Sequence, residues 1–453
     1  MKRLQLFPDT TKIENDRLTI AGQGLDSLAE EYGTPLYVYD CATMDNAVKT
    51  YKIALASSYP GSGSVTYAGK AHLSTALAQW TRRHNLWVDC TGEGEIAIAK
   101  AGGVPRERIL VHGVNKSVVD IKAAIKHAGT IVVDNLTELR KIYVILSESL
   151  QGDRRISTPG EETLRHKTAQ SDMDLWLRLR PGLAVTTYHA YTQTGQHNSK
   201  FGMDGEELME ALSFCKENGL PLTGLHFHQG SQFRDLAPLK PAIELALDLV
   251  KQIGFSGEWH FSPGGGWGVA YHEVELPQPD AREYIHVIAE SVTNTCEKLD
   301  LDLPHLHIEP GRSIVARAGV ALYRVNTVKR QGGRTWLLVD GGMADNPRYA
   351  LYGARYSALT VAGVGRDRSE RVHIAGPFCE SGDVLIEDLP MPKVEEGELI
   401  AVPMSGAYHL SMSSNYNGAR RPAVVWLENG KVQLIQRRET VDDLIRRDIG
   451  LEI

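Results

Sequence analysis

Three short stretches carry residue types that can do chemistry together. Lys70 stands in Tyr67-Ala68-Gly69-Lys70-Ala71, at the end of a β-branched run. A lysine amine kept from water loses basicity and becomes a nucleophile toward carbonyls. On a surface it is a solvated cation, and for Lys70 taken alone that second reading is the stronger. Gly264-Gly265-Gly266-Trp267-Gly268 offers backbone amides that no Cβ shields, so phosphate oxygens can approach them. The same glycines would serve a tight turn, and their spacing does not match a dinucleotide loop. Glu309-Pro310-Gly311-Arg312 sets a carboxylate and a guanidinium three residues apart. They form either a structural ion pair or an acid that keeps a pyridine nitrogen protonated. An amine, a phosphate cradle and a carboxylate are the three anchors that pyridoxal phosphate requires, and their combination is more specific than any one of them.

Two further stretches add to the set. His226-Phe227-His228-Gln229-Gly230-Ser231 puts both histidines on one side of an extended strand. Zinc is the competing reading, yet no third ligand follows at a supporting spacing. A histidine stacked on a ring, beside a hydroxyl for phosphate, is preferred, and no metal is expected. Cys379-Glu380-Ser381-Gly382-Asp383 places a thiol beside two carboxylates. From composition alone Cys379 is an inert buried thiol.

Such stretches need a frame that brings them together. Candidate strands fall at VTYAGK (65–70), LWVDC (86–90), ILVHG (109–113), TIVVD (130–134), LWLRLR (175–180), LTGLHFH (222–228), EWHFS (258–262) and HLHIEP (305–310). Amphipathic helical windows lie between them, several closing on glycine. Eight strands alternating with helices predict an α/β fold, a (β/α)8 TIM-like barrel, with an open doubly wound sheet as the alternative. Lys70, Asp89, His112, Asp134, Arg178, His228 and Glu309 lie at or just past strand C-terminal ends. In a barrel those ends share one mouth, where active sites lie, and phosphate is often held after strands seven and eight.

Beyond Arg312 the pattern turns to β: SIVARAGVALYRVNTV, TWLLVDGG, RVHIAGPFC, DVLIEDL, ELIAVPMSGAY and PAVVWLENGKVQLIQRR read as strands. Asn429-Gly430 marks a hairpin between two of them. The expected organisation is a barrel over 36–315 and an all-β, Greek-key-like barrel domain made of 1–35 and 316–453. The strand-like run RLTIAG near the N-terminus is available to pair into the β domain. Residues 151–174 read as a long surface loop.

Bulk properties exclude several partners. The chain has 453 residues, 42% hydrophobic and 23% charged, with net charge −7 and a pI near 6.2. That describes a two-domain globular protein without the cationic excess nucleic acid demands. No window approaches the ~20 apolar residues of a spanning helix, and the N-terminus lacks the apolar segment of a signal peptide. The five cysteines, Cys41, Cys90, Cys215, Cys296 and Cys379, never form a CxxC pair. Reduced thiols in a cytoplasmic protein are expected.

In chain order, Tyr67 to Ala71, His112-Gly113-Val114-Asn115-Lys116-Ser117, Ser199-Lys200-Phe201-Gly202, His226 to Gln232, the glycine loop, Glu309 to Arg312, Cys379 to Asp383 and Gly406-Ala407-Tyr408 form a series. This series resembles the motifs of the fold-type III pyridoxal-phosphate decarboxylases, which act on ornithine, arginine or diaminopimelate. The resemblance runs from about residue 35 to the end of the chain. It implies that Lys70 is the Schiff-base lysine and that His228 stacks on the ring. Ser231, Gly264, Gly265, Gly266 and Tyr408 would meet the phosphate, and Glu309 the pyridine nitrogen. Asp89, Gly311 and Arg312 belong to the same cofactor set. It further implies a homodimer with active sites at the interface, in which Cys379 of the partner subunit returns the proton.

Substrate choice follows from the same resemblance. Arg312, Arg348 and Tyr352 match carboxylate-binding positions, Glu380 matches an acidic one, and Tyr408 borders the substrate. A substrate with a second amino-carboxylate needs such a cationic site and such an acid; ornithine-type substrates do not. The expected reaction is decarboxylation of meso-2,6-diaminopimelate to L-lysine and carbon dioxide, the last step of lysine biosynthesis. Behind it stand a decarboxylase of D-ornithine, D-lysine or another basic amino acid, and a non-catalytic carrier of the cofactor. Three positions depart from the pattern: Ser262-Pro263 where an acid is usual, Gly92-Glu93 in place of Ser-Gly, and His409 where glycine is common. The first two are expected to adjust loop packing, and His409 to bear on substrate choice.

Overall fold

Short β-branched runs buried on both faces are the signature of parallel strands covered by helices. In the computed structural model eight of them close a barrel: β1 (Gly63–Ala68), β2 (Trp87–Cys90), β3 (Ile109–Val111), β4 (Thr130–Val133), β5 (Asp174–Leu179), β6 (Leu222–Phe227), β7 (His260–Ser262) and β8 (His305–Ile308). The pairing Ile308↔Val65 joins β8 back to β1. Every expected barrel strand is present. The structure describes residues 2–154, 173–183, 185–187, 189, 192–255 and 257–452. Of the predicted loop at 151–174, residues 151–154 finish the helix Leu136–Arg154 and Asp174 opens β5; 155–172 lie outside the described residues.

The intervening helices start and stop on chemical signals. Ser117 and Asp120 form a reciprocal capping box at Val118–His127, Asp204 caps Gly205–Glu217, and Gly254 closes Leu239–Ile253 in the left-handed conformation. The last of these buries Ala242, Ile243, Ala246, Leu247 and Val250, the helical three-four spacing.

Period-two alternation then sorts what faces the barrel interior. Trp87 and Asp89 share one side of β2, and Trp176 and Arg178 one side of β5. His260 and Ser262 share a side of β7, and His307 and Glu309 lie in step along β8 and its end. The earlier member of each pair builds a packed floor. Trp176 stacks on His260 at 5.3 Å and meets His307 edge-on at 4.8 Å, while Trp87 meets His307 at 4.9 Å. Gly224 makes room for this floor, since a Cβ there would lie 2.6 Å from the Trp176 ring. The later members carry the polar groups. One face therefore supplies both the plug and the chemistry.

Two compact units divide the chain: Val48–Gly268 with Asp280–Gly311 holds the barrel, and Met1–Ala47, Val269–Pro279 and Arg312–Ile453 form the other. The second unit is a nine-stranded sheet centred on Gly319–Gln331, which pairs with Leu36–Asp40, Arg334–Val339 and Leu399–Val402. The expected hairpin joins Ala423–Glu428 to Lys431–Gln436, with Asn429 and Gly430 at φ of 51° and 75°. Leu36–Asp40 is wholly buried and was not among the expected strands. RLTIAG lies in a small three-stranded sheet made of Lys12–Glu14, Arg17–Ile20 and Gln23–Gly24. It also pairs into the β unit as expected, through the Arg17–Ala362 bridge and Leu18 N donating to Val361 O at 2.8 Å. The expected strand at 313–328 begins only at Gly319, because Arg312–Val315 turns as a short helix. Leu18, Ile20, Leu36, Val38, Val320, Leu322, Val425 and Leu427 pack as one core. Among the described residues, no helix is long and apolar enough to cross a membrane.

Candidate active site

At the barrel mouth β1 ends at Ala68, and the chain turns at once through Gly69–Ala71, leaving Lys70 exposed. Gly69 is required, because a Cβ would lie 2.6 Å from the Asp89 carbonyl. Burial pushes the Asp89 carboxyl up to about 7, with the Lys70 charge opposing and Glu309 adding to the rise. Glu309 Oε1 accepts from Ser262 Oγ at 2.6 Å, and its Oε2 lies 3.3 Å from His226 Nε2. Burial holds His112 and His226 well below the ordinary imidazole range, so both rings are neutral. The His226–Glu309 bond then requires the proton on Nε2.

Sequence spacing reveals no third ligand beside the histidines of β6. In the fold, His112, His226 and Glu309 bring one ligand atom each within 4.8 Å, from the ends of β3, β6 and β8. The trio can hold a cation, or equally present a carboxylate to a protonated ring nitrogen. Asp134 and Arg178 face each other at 3.4 Å, and Lys116 is locked to Glu138 at 2.7 Å. These two pairs account for Asp134 and Lys116 as structural groups.

The glycine loop is shaped by its neighbours. A Cβ on Gly265 would lie 1.9 Å from the Glu309 carbonyl, and one on Gly266 1.8 Å from the Gly230 carbonyl. Gly264 and Gly266 adopt φ of 78° and 104°. Gly264 N donates to Ser262 Oγ at 3.1 Å, and Gly265 N to His228 Nδ1 at 3.3 Å. Burial, with the Lys70 charge adding, keeps His228 neutral, and its Nδ1 is the acceptor. Ser262 therefore does more than adjust packing: one hydroxyl fixes both the acid and the loop. At Gly92-Glu93 the departure does concern packing, since Glu93 N donates to Asp120 Oδ1 at 3.0 Å and a Cβ on Gly92 would lie 2.7 Å from that oxygen. Ser231 lies on the turn after β6, with its amide donating to Thr192 O at 2.8 Å. Gly311 lets β8 close on β1, because a Cβ would fall 2.9 Å from Ala68.

In the other unit Arg312, Arg348, Tyr352 and Tyr408 converge, joined by Tyr271 and Tyr356, which sequence reading missed. Arg312 Nη1 donates to Tyr271 Oη at 2.6 Å, and its guanidinium lies 4.4 Å from the Tyr408 ring centre. Arg348 Nε donates to Tyr356 Oη at 2.8 Å, and the guanidinium carbon lies 5.1, 5.6 and 5.7 Å from the ring centres of Tyr271, Tyr352 and Tyr408. Arg348 is buried, and among the described residues no carboxylate pairs with it. Tyr408 itself sits at φ 62°, a backbone conformation that non-glycine residues hold only under constraint. Tyr271 and Tyr356 had no nearby motif to mark them; only the fold brings them to the arginines.

Cys379 and Glu380 lie on an exposed loop, so Cys379 is not the buried thiol that composition suggested. The loop is nonetheless tethered. Asp383 accepts from Met343 N at 2.7 Å and Phe378 N at 2.8 Å, and Cys379 N donates to Asn417 Oδ1 at 3.1 Å.

A barrel mouth with lysine, glycine loop and carboxylate, accompanied by a β unit with paired arginines, defines a class. Residues 43–316 match the pyridoxal-binding domain of the pyridoxal-dependent decarboxylases, and the chain belongs to that family. Its full-length relatives narrow the class. It is 39% identical to the diaminopimelate decarboxylase of Bacillus subtilis over 96% of both chains, and 36% identical to that of Actinosynnema pretiosum over 98% of this chain and 95% of that one. The crystal structure of diaminopimelate decarboxylase from M. jannaschii in complex with L-lysine superimposes with a TM-score of 0.85, 30% identity and 98% coverage of each chain.

Pyridoxal phosphate is the cofactor, and the residues present fit it. Buried Asp89 Oδ1, His112 Nε2 and His226 Nδ1 have no hydrogen-bond partner among the described residues, the condition of polar groups awaiting a polar ligand. Lys70 projects beside them, and Glu309 is held ready by two donors.

Proposed function

We propose that this chain decarboxylates meso-2,6-diaminopimelate to L-lysine and carbon dioxide. The observation that carries the reading is Arg348: a guanidinium buried among tyrosine faces and unpaired with any carboxylate among the described residues. Burying such a charge is costly unless a ligand brings an anion to it. A diamino diacid brings one at the end remote from the reacting carbon; ornithine, lysine and arginine do not when they react at their only α-carbon.

The roles follow from the side chains. Lys70 would hold the cofactor covalently, His228 would cover its ring, and Ser231, the 264–266 loop, Gly311 and Tyr408 would hold its phosphate. The bound cofactor supplies a ring that accepts the electron pair left when the carbon–carboxylate bond breaks. Glu309, fixed by Ser262 and His226, would keep the ring nitrogen protonated, and Asp89 would line the same pocket. Arg312, Arg348, Tyr352 and Tyr408 would grip the distal carboxylate, and Glu380 the distal amine. Cys379 of the partner subunit would return a proton to the α-carbon. Its exposure on a tethered loop suits a group offered to another chain, so the enzyme would act as a homodimer, in the cytoplasm.

Expression in a bacterium deleted for its own diaminopimelate decarboxylase tests the reading. Growth without lysine supports it, and its loss on Lys70→Ala ties growth to this site. Failure to grow, with the protein expressed and loaded with cofactor, contradicts it.

A further inference from the structure

His409 is fully buried and lies between two tyrosine hydroxyls. Its Nε2 is 2.8 Å from Tyr356 Oη, and its Nδ1 is 3.1 Å from Tyr37 Oη. On one side Tyr356 Oη accepts from Arg348 Nε at 2.8 Å. On the other, Tyr37 Oη reaches Asp345 Oδ2 at 2.9 Å, the oxygen that also accepts from Tyr323 at 2.6 Å.

Each hydroxyl has a single proton, and that orders the series. Tyr37 gives its proton to Asp345, so it must take one from His409 Nδ1. Burial, with the nearby Arg348 charge, keeps the His409 ring neutral, so Nε2 carries a lone pair and accepts from Tyr356. Tyr356 then has only a lone pair to offer Arg348. The guanidinium is thereby tied to a buried carboxylate through four hydrogen bonds that all point one way. A glycine in place of His409 would leave Tyr356 and Tyr37 unbridged.

We propose that His409 is a positioning residue for substrate selection, holding Arg348 through Tyr356 in the orientation that receives the distal carboxylate. It rests on the reading of Arg348 given above. The chain also explains how one guanidinium nitrogen is engaged while the others stay available: the bond to Tyr356 uses Nε and leaves the terminal nitrogens for a bidentate carboxylate.

The test uses holoenzyme kinetics with meso-diaminopimelate, and competition by L-lysine and cadaverine, in wild type, Arg348→Ala, His409→Phe, His409→Gln, Tyr37→Phe and Tyr323→Phe. L-Lysine keeps the distal carboxylate and cadaverine lacks it. Breaking the chain at His409→Phe or Tyr37→Phe should raise KM and weaken L-lysine about tenfold, as expected for one lost hydrogen bond supporting a charged group. The value of kcat should stay within about twofold, the pattern of lost binding rather than lost chemistry, and cadaverine should compete as before. His409→Gln, whose amide both donates and accepts, should restore L-lysine binding. Tyr323→Phe loses a bond to the same carboxylate and a long 3.4 Å contact with Tyr37 Oη, neither of them one of the four links from Arg348 to Asp345, and should keep the wild-type KM.

If Arg348→Ala raises KM while His409→Phe and Tyr37→Phe do not, the proposal is overturned and the reading of Arg348 stands. If Arg348→Ala changes nothing, the reading itself falls. An equal rise in Tyr323→Phe, or equal weakening of cadaverine, would mark His409 as merely structural and overturn the proposal. Should His409→Phe not fold, Tyr37→Phe, which removes a single oxygen, decides alone.

Discussion

At the scale of residues, chemistry was legible where a motif is contiguous and hidden where it is assembled. Lys70, the 264–266 glycines and Glu309 each announce themselves within a few positions of chain. Sodium borohydride reduction of the holoenzyme followed by peptide mass spectrometry should place the pyridoxyl mass on Lys70; its appearance on another lysine would refute that assignment. Ser262 was read as a departure to be absorbed by packing, and its hydroxyl turns out to bridge Glu309 and Gly264. Replacing Ser262 with Ala should lower kcat about tenfold, the worth of one hydrogen bond to a buried carboxylate. An unchanged kcat would show that His226 suffices.

Asp89 gives a residue-scale prediction with a sign. Its carboxyl stands at about 7 in the folded chain, above the ~3.9 of an unfolded aspartate. Stability from this group is therefore fully present below about pH 4 and lost as pH rises through about 7. In the cofactor-free protein, Asp89→Asn should gain Tm relative to wild type as pH is raised from 5 to 8. A difference that stays flat across that range, or shrinks, would contradict the assignment.

At the scale of elements, the barrel was legible because parallel strands buried on both faces are written as unbroken apolar runs, and the turns that follow them concentrate polar residues at one end. Leu36–Asp40 carries the same aromatic and β-branched character. It was missed because its partners, Gly319–Gln331 and Ala423–Glu428, lie at the other end of the chain, and no local alternation with helices flags it. The glycine loop was recognised for what it offers a phosphate, whereas the tightest demand on it comes from Glu309 and Gly230. Gly265→Ala should therefore unfold more readily even without cofactor, by about 1–3 kcal/mol as for other overpacked sites. Denaturation of the cofactor-free variant checks this, and wild-type stability would return the glycine to a purely ligand-binding role.

At the scale of the whole molecule, the paired arginines and the exposed thiol belong to the β unit, while the lysine and the acid belong to the barrel. That division was legible in the sequence as a change of pattern after Arg312; the exposure of Cys379 was not, because a lone thiol between polar neighbours carries no periodicity that would place it on a surface loop. Mixing inactive Lys70→Ala with inactive Cys379→Ala subunits distinguishes a shared site from a self-contained one. With the thiol crossing between subunits, random exchange should restore about one quarter of wild-type activity, since half the dimers are mixed and each has one intact site. No recovery after verified exchange would confine Cys379 to its own chain.

The most direct test of the central claim is product analysis of the holoenzyme incubated in parallel with meso-diaminopimelate, D-lysine, L-lysine, L-ornithine and L-arginine. L-Lysine and carbon dioxide formed from meso-diaminopimelate, with the other four untouched, is the predicted result. Turnover of any substrate lacking the distal carboxylate at a comparable rate would contradict it, because Arg348 would then be buried for some other reason.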